Sequence, residues 1–147
     1  MTRDNDPEAV AELDRLDEAV RAAPAGDTTA QIALWRQTTR LETWFFIARG
    51  PADRPRPYAV GAAQGPMVCL YSSADRAKDA ARALDLVAAD DETVPLLGVP
   101  VPDAIDYVAS FGGAGVVGVT LDYPRIGHHV PIGNLGLLKA WAAADAG

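Results

Sequence analysis

Apolar positions recur at helical spacing near the start of the chain and in short continuous runs after it. Val10, Leu13, Leu16 and Val20 make a narrow stripe three or four residues apart, which predicts a helix over 7–23. Pro7 suits its first turn and Asp6 its cap, Asp17 can pair with Arg21 one turn on, and Pro24-Ala25-Gly26 ends it. A second helix is predicted over 28–40, capped by Asp27 and anchored by Ile32, Leu34, Trp35 and Leu41. The run TWFFIA, Thr43 to Ala48, is apolar on both alternating faces, as a central strand is. The loop from Gly50 to Pro57 carries three prolines, which keep it out of a sheet interior.

Tyr58–Ala63 and Met67–Tyr71 read as a hairpin across Gln64-Gly65-Pro66. The segment MVCLYSSADRAKDAARALDL, Met67 to Leu86, is a buried strand feeding a capped helix. Ser72 opens Ser-x-x-Asp with Asp75, where a side-chain oxygen can accept an orphan N–H. The helix, over 73–86, turns Ala77, Ala80, Ala81 and Leu84 inward and Asp75, Lys78, Asp79 and Arg82 to water. Thr93–Val99 is a strand that Pro95 places near an edge. A short helix from Pro102 to Phe111 stops at Gly112-Gly113, and Gly115–Leu121 is a buried β-branched strand. His128–Ile132 returns, and Asn134 caps a last helix carrying Leu135, Leu138, Trp141 and Ala142. The order is ααβββαβαββα, an α/β (α+β) fold with one mixed sheet and helices packed on it. Residues 1–26 form a helical extension, and 27–147 one globular unit.

Composition narrows the function. The chain has 147 residues, 49% hydrophobic and 22% charged, as one soluble domain would. A net charge of −7 disfavours nucleic acid, which needs clustered Lys and Arg, and disfavours an anionic membrane surface. Eleven Arg against two Lys, with abundant Ala, hint at a GC-rich bacterial genome. The single cysteine, Cys69, allows no disulfide within the chain. No apolar run reaches the roughly 20 residues of a membrane span, and the acidic MTRDNDPEAVAELD start has no apolar core, so the expectation is a cytoplasmic protein without a secretory signal.

From about Ile32 to Ala142 the layout resembles the SseB N-terminal-domain family. A Trp35-bearing helix precedes TWFFIA, and a hairpin leads into LYSSADRA, similar to that family's strand, Phe-Thr-Ser and helix. VPLLGVPVPDAIDYV, GAGVVGVTLDYP and HHVPIGNLGLLKAW follow in the family's order, while Leu70-Tyr71-Ser72-Ser73 stands where an aromatic and Thr-Ser are usual. The resemblance implies a bacterial, largely actinobacterial lineage and a non-catalytic interaction role. It carries over no catalytic residues.

Each chemical constellation has a structural explanation. Gly113–Gly118 matches G-x-G-x-x-G, but a dinucleotide site needs a strand before and a helix after, and here the order is reversed. Gly118 is then a close-packing position beneath a helix. His128-His129 on a strand point to opposite faces and cannot chelate one ion. Cys69 in an apolar strand is buried and inert, and Ser72 and Ser73 serve as helix caps rather than nucleophiles. Asp4–Asp6 and Asp90-Asp91-Glu92 are too tightly spaced for a calcium loop. No catalytic residue, metal or cofactor is expected.

The loop from Leu121 to His128 holds Tyr123, Arg125 and His128 together, and these are the candidate binding residues, since Tyr and Arg are enriched at binding hot spots. The leading expectation is an interaction module that binds an unidentified protein as a monomer or weak homodimer. The alternative is a small-ligand-binding protein or enzyme with a pocket lined by Trp44, Trp141 and Tyr71.

Overall fold

A computed structural model describes residues 4–87 and 93–146; the Asp90-Asp91-Glu92 run lies outside them. Five helices and two short sheets make a mixed α+β fold. Helix α1 (Pro7–Ala22) starts as its sequence dictates, with Pro7 at the first turn and the Asp6 side chain accepting the Glu8 N–H. Helix α2 (Thr29–Arg40) follows, its first N–H taken by Asp27.

Strand β1 (Thr43–Arg49) pairs antiparallel on one side with the two-residue β2 (Arg56–Pro57) and on the other with β5 (Leu96–Pro100). The proline-rich loop therefore contributes a strand, but only at an edge. Pro95 likewise precedes an edge strand. The second sheet has the order β3 (Ala59–Ala62), β4 (Gly65–Leu70), β6 (Gly118–Leu121) and β7 (His129–Pro131). The pair β4 and β6 is parallel, and the crossover runs through α3 (Ala74–Ala83), β5 and α4 (Asp103–Ala109). Helix α5 (Leu135–Ala146) closes the chain.

The single sheet expected from the pattern is thus two, stitched by a bridge in which Phe45 and Tyr71 exchange N–H···O bonds of 2.9 and 2.7 Å. Strand alternation then sorts the apolar residues into two cores. Trp44, Phe46, Val68, Leu70, Val119 and Leu121 face one side, under α1, α2, α4 and α5. Phe45, Ile47, Cys69 and Tyr71 face the other, where Ala77, Ala80 and Ala81 let α3 lie close. Among the described residues no helix is long and apolar enough to cross a membrane.

Four local expectations shift. The hairpin turn is Ala63-Gln64 rather than Gln64-Gly65-Pro66, because Gly65 at φ +132° and Pro66 belong to β4. Helix α3 ends at Ala83, where Asp85 at φ +57° turns the chain and the Leu86 N–H closes on the Ala81 carbonyl. Gly118 is needed by a strand, not a helix: a Cβ there would lie 2.6 Å from the Val130 carbonyl oxygen on β7. Ile32 is no anchor, being 46% exposed.

Helix α1 joins the main core. Leu13 is wholly buried, Val10 nearly so, and Leu16 and Val20 pack at the margin. Before the helix, the Asn5 amide donates to the carbonyls of Thr43 (2.7 Å) and Ser72 (2.8 Å) and accepts the Thr43 N–H (3.0 Å). One side chain thereby ties β1 to the end of β4. Leu13→Ala is expected to lower stability by about 2–5 kcal/mol, since the void cannot collapse between helix and sheet. Denaturant unfolding checks this, and a loss under about 1 kcal/mol would show that α1 is not part of the core.

Candidate functional site

The loop from β6 to β7 begins with Asp122, a non-glycine residue at φ +49° whose side chain is almost fully buried. Short polar residues tolerate this left-handed geometry best. The carboxylate accepts three bonds: from the Ser72 N–H (2.7 Å), the Ser72 hydroxyl (2.6 Å) and the Arg76 guanidinium (2.8 Å). The Asp122 N–H itself extends the β4–β6 pairing to the Leu70 carbonyl. The cap of α3 is accordingly Ser73, whose hydroxyl accepts the Arg76 N–H; Ser72 belongs to Asp122.

Arg76 also reaches Asp14 on α1 at 2.7 Å, and Arg125 meets the same carboxylate at 2.9 and 3.2 Å. Three residues along α1, Asp17 sits 2.8 Å from His128 and also accepts from Arg21. Partial burial pushes the Asp14 carboxyl upward, but the Arg125 hydrogen bond and the charges of Arg76 and Arg125 outweigh it and hold Asp14 below the usual carboxylate range. Its bond to Asp14 raises Arg125 in turn. Of the three candidate binding residues, Arg125 and His128 thus grip α1, while Tyr123 packs on the α3-side core and its carbonyl accepts the Tyr71 hydroxyl at 2.9 Å. A cleft of about 210 Å³ opens beside them, between Asp79 and Ala80 of α3 and Pro124 and Arg125 of the loop.

The aromatic residues proposed to share a pocket do not meet. Trp44 and Tyr71 are fully buried in different cores, and Trp141, half-buried on α5, packs against the core that holds Trp44. Burial pushes the Cys69 thiol up to about 12, where it is neither nucleophile nor ligand at neutral pH. His128 is half-buried and His129 exposed, and among the described residues no three His, Cys, Asp or Glu side chains converge as a metal centre requires.

A second feature escaped the pattern reading. Helices α2 and α5 lie side by side in the same direction: Thr28 and Asn134 flank one end of their groove, and Arg36 and Arg40 pair with Asp145 at the other. The groove holds about 280 Å³, with Trp35 and Leu138 at its base and Ile32, Leu137 and Trp141 along its sides. Ile32 and Leu137 are the large hydrophobic side chains exposed among the described residues, at 46% and 52%. The Trp35 indole N–H, in a residue only 2% exposed, has no acceptor among the described residues. The sequence signal was α5 itself, LGLLKAWAAADA, which is apolar around most of its circumference, whereas a surface helix keeps a polar face.

No protein-family model matches this sequence, and no curated protein matches it.

Two outcomes follow from the carboxylate network. Asp122→Ala leaves the Ser72 N–H and hydroxyl without their acceptor in a buried site and Arg76 with Asp14 as its remaining partner, and is expected to cost about 3–5 kcal/mol, whereas Asp122→Asn, which tolerates the same backbone, costs less. Denaturant titration of both variants checks the ranking; equal, small losses would refute it. Asp14 has a folded-state pKa below its ordinary 3.8, so its stabilising contribution is complete above that value and disappears as pH falls through the lowered one. The stability gap between the native chain and Asp14→Asn, followed by thermal unfolding, is therefore expected to hold from neutral pH to about 4 and to close below it.

Proposed function

We propose that this chain is a non-catalytic protein-interaction module of the SseB N-terminal-domain type, from a bacterial cytoplasm, and that its binding face is the groove between α2 and α5. The observation that carries this reading is the placement of Ile32 and Leu137. The exposed large apolar side chains of the described residues flank one groove rather than scattering over the surface. Scattered exposed hydrophobics need no explanation, but clustered ones mark contact surfaces.

The polar residues favour the same reading. Ser72, Arg76, Asp122, Asp14, Arg125, Asp17 and His128 satisfy one another, so the loop that gathers Tyr, Arg and His acts as a clamp on α1. Freeing Arg125 or His128 for a partner would break contacts already made within the chain. Binding through the α2–α5 groove breaks none.

A photoreactive phenylalanine analogue in place of Leu137, introduced in the native host, tests this. Illumination is expected to give discrete protein adducts at that position and none when the analogue replaces Ala19, which is exposed on α1. Equal or absent adducts at the two positions would defeat the reading.

A further inference from the structure

We infer that the occupant of the α2–α5 groove is a second copy of this chain, docked face to face about a two-fold axis. The inference rests on the interaction-module reading and deepens it by naming the partner.

The first argument is self-complementarity. An isologous contact needs a patch carrying both a projection and a matching recess. Leu137 stands out from α5 at 52% exposure, and the recess beside it is walled by Ile32, Leu138 and Trp141. The recess, about 280 Å³ and lined largely by Ile32, Trp35, Leu138 and Trp141, can take inserted apolar side chains. On the Leu137 face of α5, Ala140 and Ala144 are exposed, three and seven residues further on. Small residues there let a second α5 approach closely. Further, Ile32 and Leu137 are the large apolar side chains exposed among the described residues, so a copy that docks through apolar surface presents this same face.

The second argument is charge. Arg36 lies over the Trp141 ring, 5.3 Å from its centroid, and shares Asp145 with Arg40, while Lys139 is paired with Asp106. Thr28, Gln31 and Asn134 complete the rim. The face is thus close to neutral and offers no net charge to select a charged partner, although the chain carries −7. Two copies repel through that net charge and attract through the neutral face. Salt screens the first, with a Debye length of about 30 Å at 0.01 M and 10 Å at 0.1 M, and leaves the second intact. Association is therefore strengthened by salt, the reverse of a contact between opposite charges.

The third argument sets the strength. Each helix has 12 residues. Two such helices are about 18 Å long and, at 8–10 Å between axes, present a face roughly 20 Å wide, on the order of 400 Å². That is about half of the 800 Å² per partner in a standard stable interface, so the dimer is weak and concentration-dependent.

Sedimentation velocity of the full chain tests this. The weight-average mass is expected to rise from 15.5 kDa towards twice that value with concentration. The useful range is roughly 1 to 500 µM, where weak dimers dissociate. The rise is expected to steepen from about 0.05 to 0.5 M salt. Leu137→Glu and Ile32→Glu should abolish it, and Ala19→Glu, which adds the same charge elsewhere, should not. Because Cys69 is buried, Ala140→Cys supplies the reactive thiol, and mild oxidation should cross-link it faster than an Ala19→Cys control. A monomer throughout the range, a dimer that survives both Glu variants, a dimer weakened by salt, or equal cross-linking at the two positions each overturns the inference. A purified monomer whose Leu137 analogue still captures a different protein in the host would sink the second copy and leave the interaction module standing. A purified monomer together with no adducts in the host would remove both.

Discussion

A single buried carboxylate organises the region where most elements meet. Asp122 lies at the end of β6 and takes the N–H and hydroxyl of Ser72, at the end of β4, together with the guanidinium of Arg76 in α3. It therefore closes the parallel β4–β6 pair, fixes where α3 starts and orients the arginine that reaches across to Asp14 of α1. Desolvating such a charge is expensive, and an apolar replacement of the whole cluster can be as stable. Its contribution lies in geometry: only one arrangement of β4, β6, α3 and α1 satisfies every donor. The left-handed backbone at Asp122 is tolerated because those three bonds hold it.

The clamp also explains why α1 is not an appendage. On sequence alone a narrow stripe followed by Pro-Ala-Gly reads as a helical extension whose stripe must be buried on the domain or on a second copy, with the domain favoured. The stripe is narrow because the polar positions beside it also face the domain. Asp14 and Asp17 meet Arg76, Arg125 and His128 beside the stripe through which Leu13 enters the core. Asn5 adds a pseudo-strand contact at the seam between the two sheets, where Phe45 and Tyr71 make the bridge. Residues separated from the domain by a turn are thereby tied to it ahead of the helix and along its middle.

Elements were legible wherever periodicity alone decides them. TWFFIA, the strand at Cys69 and the Ala-rich face of α3 all lie where their patterns require, because burial on one or both faces leaves a local imprint. What depends on contacts distant in sequence left none. Ser72 and Ser73 are equivalent as caps until Asp122, 50 residues away, claims the first. Gly118 looks like a helix-packing glycine until the carbonyl of Val130 is seen to occupy the space. Arg125 and His128 look available until α1, over 100 residues earlier, is found against them. Ile32 fits the helical period as well as its neighbours do, and only the placement of α5 leaves it outside.

The same contrast separates the two faces as binding surfaces. A partner approaching the Asp122–His128 loop meets charges already neutralised, and displacing them gives up ion pairs already made within the chain, partly buried for His128–Asp17 and largely solvent-exposed for Arg125–Asp14. A partner approaching the α2–α5 groove covers Ile32, Leu137 and Trp141, which now face water, and each contact removes apolar area without breaking a bond. The fold concentrates its polar chemistry on holding α1, and because α1 covers the other side of α2, the apolar surface left over lies beside α5. The contacts that hold α1 and the exposed apolar groove thus lie on the two sides of α2.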